Sequence, residues 1–252
     1  EEGPAINGTT KMLDWLKSKG ETLDDCIVGE PTSEKKVGDI IKIGRRGSLN
    51  ANVSVFGNQG HVAYPDKADN PIGRLLTYLT HLDNKVWDNG TQYFQPSNLE
   101  ITSVDVGNAT TNIIPAKASA KLNIRFNNLH TGADIKKYLI EKQRDIIEKS
   151  RLDIKISGES FLTTPGNLTN LISNAIKEVT NINAQLSTSG GTSDARFIKD
   201  FCPVSEFGML NTTAHKINEH VSINDLTKLA KIYENVLRKY FVDDKFRLLL
   251  FK

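Results

Sequence analysis

Cysteine is nearly missing from this sequence: Cys26 and Cys202 are the only two among 252 residues. Two thiols cannot build a disulfide framework or a four-thiolate zinc site. So sparse a usage suits a reducing cytoplasm. Net charge is nearly missing too, since 32 Lys and Arg against 30 Asp and Glu leave a formal +2. The basic residues are scattered rather than striped, which argues against nucleic acid or an anionic membrane as partner. No run is long and apolar enough to span a bilayer, and nothing reads as a secretory leader. Neither an internal repeat nor a low-complexity linker is found. What is there is the charged and apolar balance of an ordinary soluble protein, long enough for one domain or two.

The chain begins "EEGPAINGTT", two carboxylates ahead of a helix-like stretch that places Met12, Leu13 and Leu16 on one face, with Gly20 as its stop. "DDCIVGEPTS" reads as a short buried strand over 26–29 that delivers Glu30 at its carboxyl end. Pro31 pushes Glu30 out of the helical region. A block with its own logic follows. "DIIKIGRRGSLNANVSVFG" is strand-like, and "NPIGRLLTYLTHLDNKVW" carries Ile72, Leu75, Leu76, Leu79, Leu82 and Val86 at helical spacing. In "KASAKLNIRF", Ala118, Ala120, Leu122, Ile124 and Phe126 alternate with Lys117, Ser119, Lys121, Asn123 and Arg125, one face for a core and one for solvent or a partner. With "SNLEITSVDVG", the helical "GADIKKYLIEKQRDIIEKS" and "LDIKIS", the order is β-α-β-β-α-β, a ferredoxin-like unit. The expected organisation is an α/β domain formed by residues 1–45 and 159–252, interrupted by this unit at 46–158. A helix over 167–180, strands over 184–187 and 204–207, and a helix over 223–240 complete the outer domain. The tail "KFRLLLFK" suggests no function.

Several residues carry candidate chemistry. Glu1 and Glu2 suit a solvated approach to a helix, but neighbouring residues in extended chain point to opposite sides, so one can bind a metal while the other takes a proton from metal-bound water. Glu30 sits where open α/β sheets collect ligands, at a strand's carboxyl end. His215 lies in a polar loop with Glu219 and His220 close by. Carboxylate oxygen and imidazole nitrogen are ligands suited to zinc. His81 and His130 have no acidic companion at suggestive spacing and read as surface residues.

"EEGPAINGTT", "VGEPTS", "GRRGSL", "GHVAYP", "NIIPA", "NIRF", "STSGGTSDARF" and "EFG…HKINE" follow in an order and spacing that resembles the bacterial succinyl-diaminopimelate desuccinylases. These are dizinc amidohydrolases of the aminoacylase and carboxypeptidase superfamily, and the resemblance runs from Glu1 to about Tyr240. It implies hydrolysis of N-succinyl-LL-2,6-diaminopimelate to succinate and LL-2,6-diaminopimelate in lysine and diaminopimelate biosynthesis. It implies Glu1 as general base, Glu2, Glu30 and His215 as ligands of Zn2+ (two per subunit, Co2+ being the alternative occupant), and His61 reaching the partner subunit's site to steady the oxyanion. It implies a cytoplasmic homodimer paired through the inserted domain, a role the alternating strand "KASAKLNIRF" suits.

Carboxylates of such a substrate ask for guanidinium forks and aimed amides. The matching positions are Arg45, Arg46, Tyr64, Asn112, Arg125 and Asn211, with a turn at Gly190, Gly191 and Thr192 cradling one carboxylate. In the family a further histidine ligand and a bridging aspartate come from upstream of "EEG". This sequence does not contain them, so the 252-residue polypeptide is expected to bind zinc weakly and to be inactive, its sheet short of strands. The competing readings are an acetylornithine deacetylase-like enzyme, or another N-acyl amino acid deacylase, and a non-catalytic dimerisation module.

Overall fold

Strict alternation over residues 117–126 sets the plan of one half of the molecule. The computed structural model describes residues 7–191 and 193–243. Its two compact units comprise residues 46–160 and residues 1–45 with 161–252.

In the first unit, strands Gly47–Phe56, Asn98–Asp105, Lys117–Phe126 and Ser150–Gly158 form one sheet in the spatial order 98–105, 117–126, 47–56, 150–158. All neighbours are antiparallel. Helices Pro71–Asp83 and Gly132–Ile146 connect the strands, giving the β-α-β-β-α-β order. Ala118, Ala120, Leu122, Ile124 and Phe126 are buried against Leu49, Ala51, Val53 and Val55 of the neighbouring strand, with Leu75, Tyr78, Leu79 and Leu82 from one helix and Ile135 and Leu139 from the other. Each large aliphatic side chain so buried contributes about 1.5–3 kcal/mol. Asn70 caps the first helix by accepting from the Ile72 N–H at 3.0 Å, with Pro71 at the first position, where a missing N–H is harmless. Thr131 and Asp134 form a reciprocal capping box on the second.

Two expectations are corrected in this unit. Leu76 is 51% exposed and Val86, beyond the helix end at Asp83, is 77% exposed. Tyr78 takes the core position instead, its hydroxyl donating to the Leu139 carbonyl at 3.0 Å. The strand 117–126 is interior, hydrogen-bonded on both sides, and its polar face stays partly exposed, as its alternation predicts. The outer strands are 98–105 and 150–158. His130 does have an acidic companion: its Nε2 lies 3.1 Å from Asp88, and the ring is largely covered. The Asp88 carboxylate also accepts from the Gly90 N–H at 2.7 Å and from Asn127 Nδ2 at 2.6 Å.

The second unit carries a four-stranded mixed sheet of short strands in the order Cys26–Val28, Val204–Glu206, Ile40–Lys42, Gln185–Ser187. The outer pairs are parallel and the central pair is antiparallel. Helices Thr9–Ser18, Asn167–Thr180 and Ile223–Arg238 accompany it. Leu13, Phe161, Ala195, Ile198, Cys202 and Val204 form one cluster of its core. Met12, expected inward, is exposed, and Cys26 to Val28 are only half-buried. Gly20, with φ +73°, ends the first helix as expected. Both thiols are free; burial pushes Cys202 up to about 11 and raises Cys26 too.

Burial raises the Asp88 carboxyl, but hydrogen bonds from Ser97, Gly90 and Asn127 prevail and hold it below the usual carboxylate range. Its stabilisation is therefore complete above the unfolded value, about 3.9, and is lost as pH falls through the lower folded value. Asp88→Asn should lower stability at pH 7 by about 1–3 kcal/mol in urea titrations. The same variant should show a shallower loss of stability between neutral pH and acid than the parent. An unchanged midpoint at pH 7 would contradict the role given to Asp88.

Candidate functional site

Glu30 stands two residues past the end of the strand Cys26–Val28, and its surroundings are laced to the segment after Val204–Glu206. The Phe207 N–H donates to the Val28 carbonyl at 3.0 Å, and the Gly208 N–H to Thr32 Oγ1 at 3.1 Å. Ser33 Oγ donates to the Gly208 carbonyl at 2.9 Å, and the Asn211 N–H to the Ser33 carbonyl at 2.9 Å. A Cβ at Gly208 would lie 2.4 Å from the Glu30 carbonyl oxygen, so only glycine permits this approach. The lacing sets Glu30 beside the loop that begins at Asn211 and carries His215. That loop is exposed, has His215 and Asn218 in the left-handed region at φ 59° and 63°, and is closed by the Thr213 hydroxyl donating to the His220 carbonyl at 2.7 Å. Glu1, Glu2 and Thr192 lie outside the described residues. Among the described residues no group of three or more His, Cys, Asp or Glu side chains is placed to hold a metal ion.

Arg45 departs from expectation. It is 8% exposed and turned inward, its guanidinium paired with Glu206, itself 1% exposed. Nε donates to Oε1 at 3.0 Å, Nη2 donates to Oε2, and Nη1 donates to the Ser189 carbonyl at 2.7 Å. Ser193 Oγ donates to Glu206 Oε1 at 2.5 Å. Beside them Lys42 Nζ donates to Ser189 Oγ at 2.7 Å and Ser187 Oγ at 3.2 Å. Burial, then the Arg45 charge, lowers the Lys42 pKa. Lys42, Ser193 and Glu206 were not singled out in the sequence. A signal was present: each of the short strands "IIK" and "VSE" ends in a charged residue followed by an apolar one, Ile43 or Phe207, and charged side chains are almost never fully buried unless paired.

In the other unit the candidates fall into two groups. Arg46 donates through Nη1 to Asn98 Oδ1 at 2.9 Å, and burial, then the nearby Arg125 charge, lowers its pKa. Arg125 pairs across the sheet with Ser48. His61, Tyr64 and Asn112 gather beyond the opposite end of the same strand. His61 pairs with Ile113, the Val62 N–H donates to the Asn112 carbonyl at 3.1 Å, and the Tyr64 N–H donates to the His61 carbonyl at 2.9 Å. The continuous pairing runs from Gly47 with Phe126 to Phe56 with Lys117. At about 3.3 Å per residue, that ladder separates the two groups by about 30 Å. One copy of this unit cannot join them. His61 is exposed, and its Nδ1 accepts from the Ala63 N–H at 3.1 Å. The neutral ring then carries its proton on Nε2, which makes that nitrogen a donor.

Residues 43–150 match the family description of the peptidase dimerisation domain. Curated relatives of the chain include the succinyl-diaminopimelate desuccinylase of Parvibaculum lavamentivorans, 53% identical over 249 residues, covering 96% of this chain and 62% of that protein. The desuccinylase of Ehrlichia canis is 54% identical over 242 residues, covering 96% and 64%. That of Pelagibacter ubique is 50% identical over 245 residues, covering 96% and 64%. The chain thus spans a little under two thirds of the length of these relatives. Among solved structures, the aminopeptidase PepT of Bacillus cereus superposes with a TM-score of 0.72 at 17% identity, covering 92% of this chain and 61% of that one. The M20 family metallo-carboxypeptidase Sso-CP2 of Sulfolobus solfataricus superposes at 0.71 and 15% identity, covering 91% and 67%. At such identities these structures speak to the fold alone.

Proposed function

We propose that this chain, similar across 96% of its length to the succinyl-diaminopimelate desuccinylases, is part of a whole protein that hydrolyses N-succinyl-LL-2,6-diaminopimelate to succinate and LL-2,6-diaminopimelate. The identity of about half to these relatives carries the reading. In this reading the whole enzyme is cytoplasmic, metal-dependent and homodimeric. Among the described residues no helix is long and apolar enough to cross a membrane.

Metal ligation is tested by donor chemistry. Glu30 offers carboxylate oxygen at a strand end and His215 offers imidazole nitrogen from an exposed loop, the donor types that Zn2+ and Co2+ take. Glu2 is the third ligand of this reading. A divalent metal bound there supplies Lewis-acid polarisation and an acidic water. The rest of the chemistry falls to side chains. Glu1 takes the proton of the attacking water and later protonates the leaving amine. His61 Nε2–H donates to the oxyanion in the neighbouring subunit's site. Arg46, Arg125, Tyr64, Asn112, Asn211, Gly191 and Thr192 bind the substrate's carboxylates and polar groups. Arg45, turned inward, supports that set rather than joining it.

Pairing of two copies uses the sheet edge 98–105. Helix 71–83 packs over that side of the sheet, whereas helix 132–146 packs over the side of 150–158. Gly73, Leu76, Thr77 and Thr80 face outward from helix 71–83, and Val104 is half exposed on the edge strand. An open edge with an apolar residue above it suits a second copy of itself.

Two tests follow. The enzyme should hydrolyse the succinylated diamine at a kcat/KM at least about tenfold above N-acetyl-ornithine, a difference of about 1.4 kcal/mol or more. Preference for the acetyl substrate would move it to the rival deacylases, and no hydrolysis of either would leave the dimerisation module. Leu76→Glu should shift the species seen by sedimentation from dimer to monomer and reduce activity with it. A dimer undisturbed by that charge would place the interface elsewhere.

A further inference from the structure

Buried inside the unit formed by residues 1–45 and 161–252 is a charged cluster that the proposed reaction does not use: Lys42, Arg45 and Glu206. All three side chains converge on the turn that follows strand Gln185–Ser187. Arg45 Nη1 donates to the Ser189 carbonyl at 2.7 Å, and Lys42 Nζ donates to the Ser189 hydroxyl at 2.7 Å. Glu206 takes both Arg45 contacts and, at 2.5 Å, the Ser193 hydroxyl on the far side of the turn. Ser193 Oγ in turn accepts from the Ala195 N–H at 3.3 Å, where a short helix begins. Gly190 lies between these clamps with φ +99°, a conformation that favours glycine. A Cβ there would come 2.6 Å from Arg45 Nη1, whereas a Cβ at Gly191 would meet nothing within 4 Å. One side of the turn is thus backed by the guanidinium, and the other opens outward.

We propose that Glu206 is a positioning residue: it holds Arg45 against the Ser189 carbonyl and holds Ser193 beyond the turn, so that the Gly190–Gly191 amides stay aimed at a substrate carboxylate. The last clause rests on the desuccinylase reading; the clamping of the turn does not. Oriented backbone N–H groups bind anions only while their geometry is held. A carboxylate is required at 206 because the buried Arg45 charge needs a full negative partner. Glutamine would satisfy the shape and not the charge.

Three variants of the metal-loaded enzyme separate positioning from packing: Glu206→Gln, Gly190→Ala, and the double replacement Arg45→Met with Glu206→Leu. The first two should raise KM for the succinylated substrate by about 10–100-fold, the effect of losing one charge-assisted hydrogen bond, with kcat changed far less. All three should speed amide hydrogen exchange in the peptide covering residues 187–193 by about tenfold or more while leaving exchange in the 117–126 strand unchanged. Replacing a buried ion pair with apolar groups is often neutral for stability, so the double variant should melt within a few degrees of the parent and still show the KM defect. Parental KM and parental exchange in the double variant would reduce the pair to packing and overturn the proposal. If the parent enzyme does not hydrolyse the substrate but exchange in the turn still rises, the desuccinylase reading fails and the clamp stands.

Discussion

The ladder that pairs Gly47 with Phe126 and runs without a break to Phe56 with Lys117 fixes the spacing of the candidate site residues in this unit. Ten consecutive antiparallel pairs, one face buried, fix the register, because a slip of one residue would turn every apolar side chain to solvent. Phe126 locks one end. A Cβ at Gly47 would lie 2.2 Å from its ring, so glycine opposite the ring is what lets the two strands close there. A rigid strand pair of this length keeps Arg46 and Arg125 at one end and His61, Tyr64 and Asn112 at the other. Both groups can serve one substrate only if a second copy brings its far end to the first copy's near end. Under the proposed function, a dimerisation module then becomes part of the catalytic apparatus rather than an attachment to it.

The unit formed by residues 1–45 and 161–252 solves a different problem. Its strands are too short to hold side chains by ladder alone, so hydrogen bonds between loops do the positioning. Ser33 and Thr32 stitch the Glu30 segment to residues 207–211, and the stitched pair carries the histidine loop. Nearby, two buried cations face one buried anion, with Glu34 at 4.0 Å from Lys42 as a partly exposed counterweight. Burying such a set is unfavourable unless each member is hydrogen-bonded. Here the bonds reach backbone and serine hydroxyls of a single turn. Charge is spent on shape.

Much of this was legible in the residues. The period of two in "KASAKLNIRF" marks the buried face of the strand residue by residue, because alternation is a local consequence of the pleat. The helix over 167–180 and the β-α-β-β-α-β order are equally local. Glu30 at a strand's carboxyl end needed only the neighbouring Gly29 and Pro31. What resisted reading depends on distant partners. Arg45 resembles a solvent-facing donor until Glu206, 161 residues away, takes it inward. The acid that holds His130, Asp88, is 42 residues off. Leu76 obeys helical spacing but is half exposed, while Tyr78 takes the core position.

The proposed dependence of one site on two copies is tested most directly by co-expressing two variants of the whole enzyme that the proposal makes inactive, His61→Ala and Glu30→Gln, and assaying the mixed dimers. Each heterodimer carries one site free of both substitutions and one that bears both, so random pairing should restore about a quarter of parental activity. Activity no higher than the sum of the two variants assayed alone would mean that His61 acts within its own chain, and the two-copy site would be wrong.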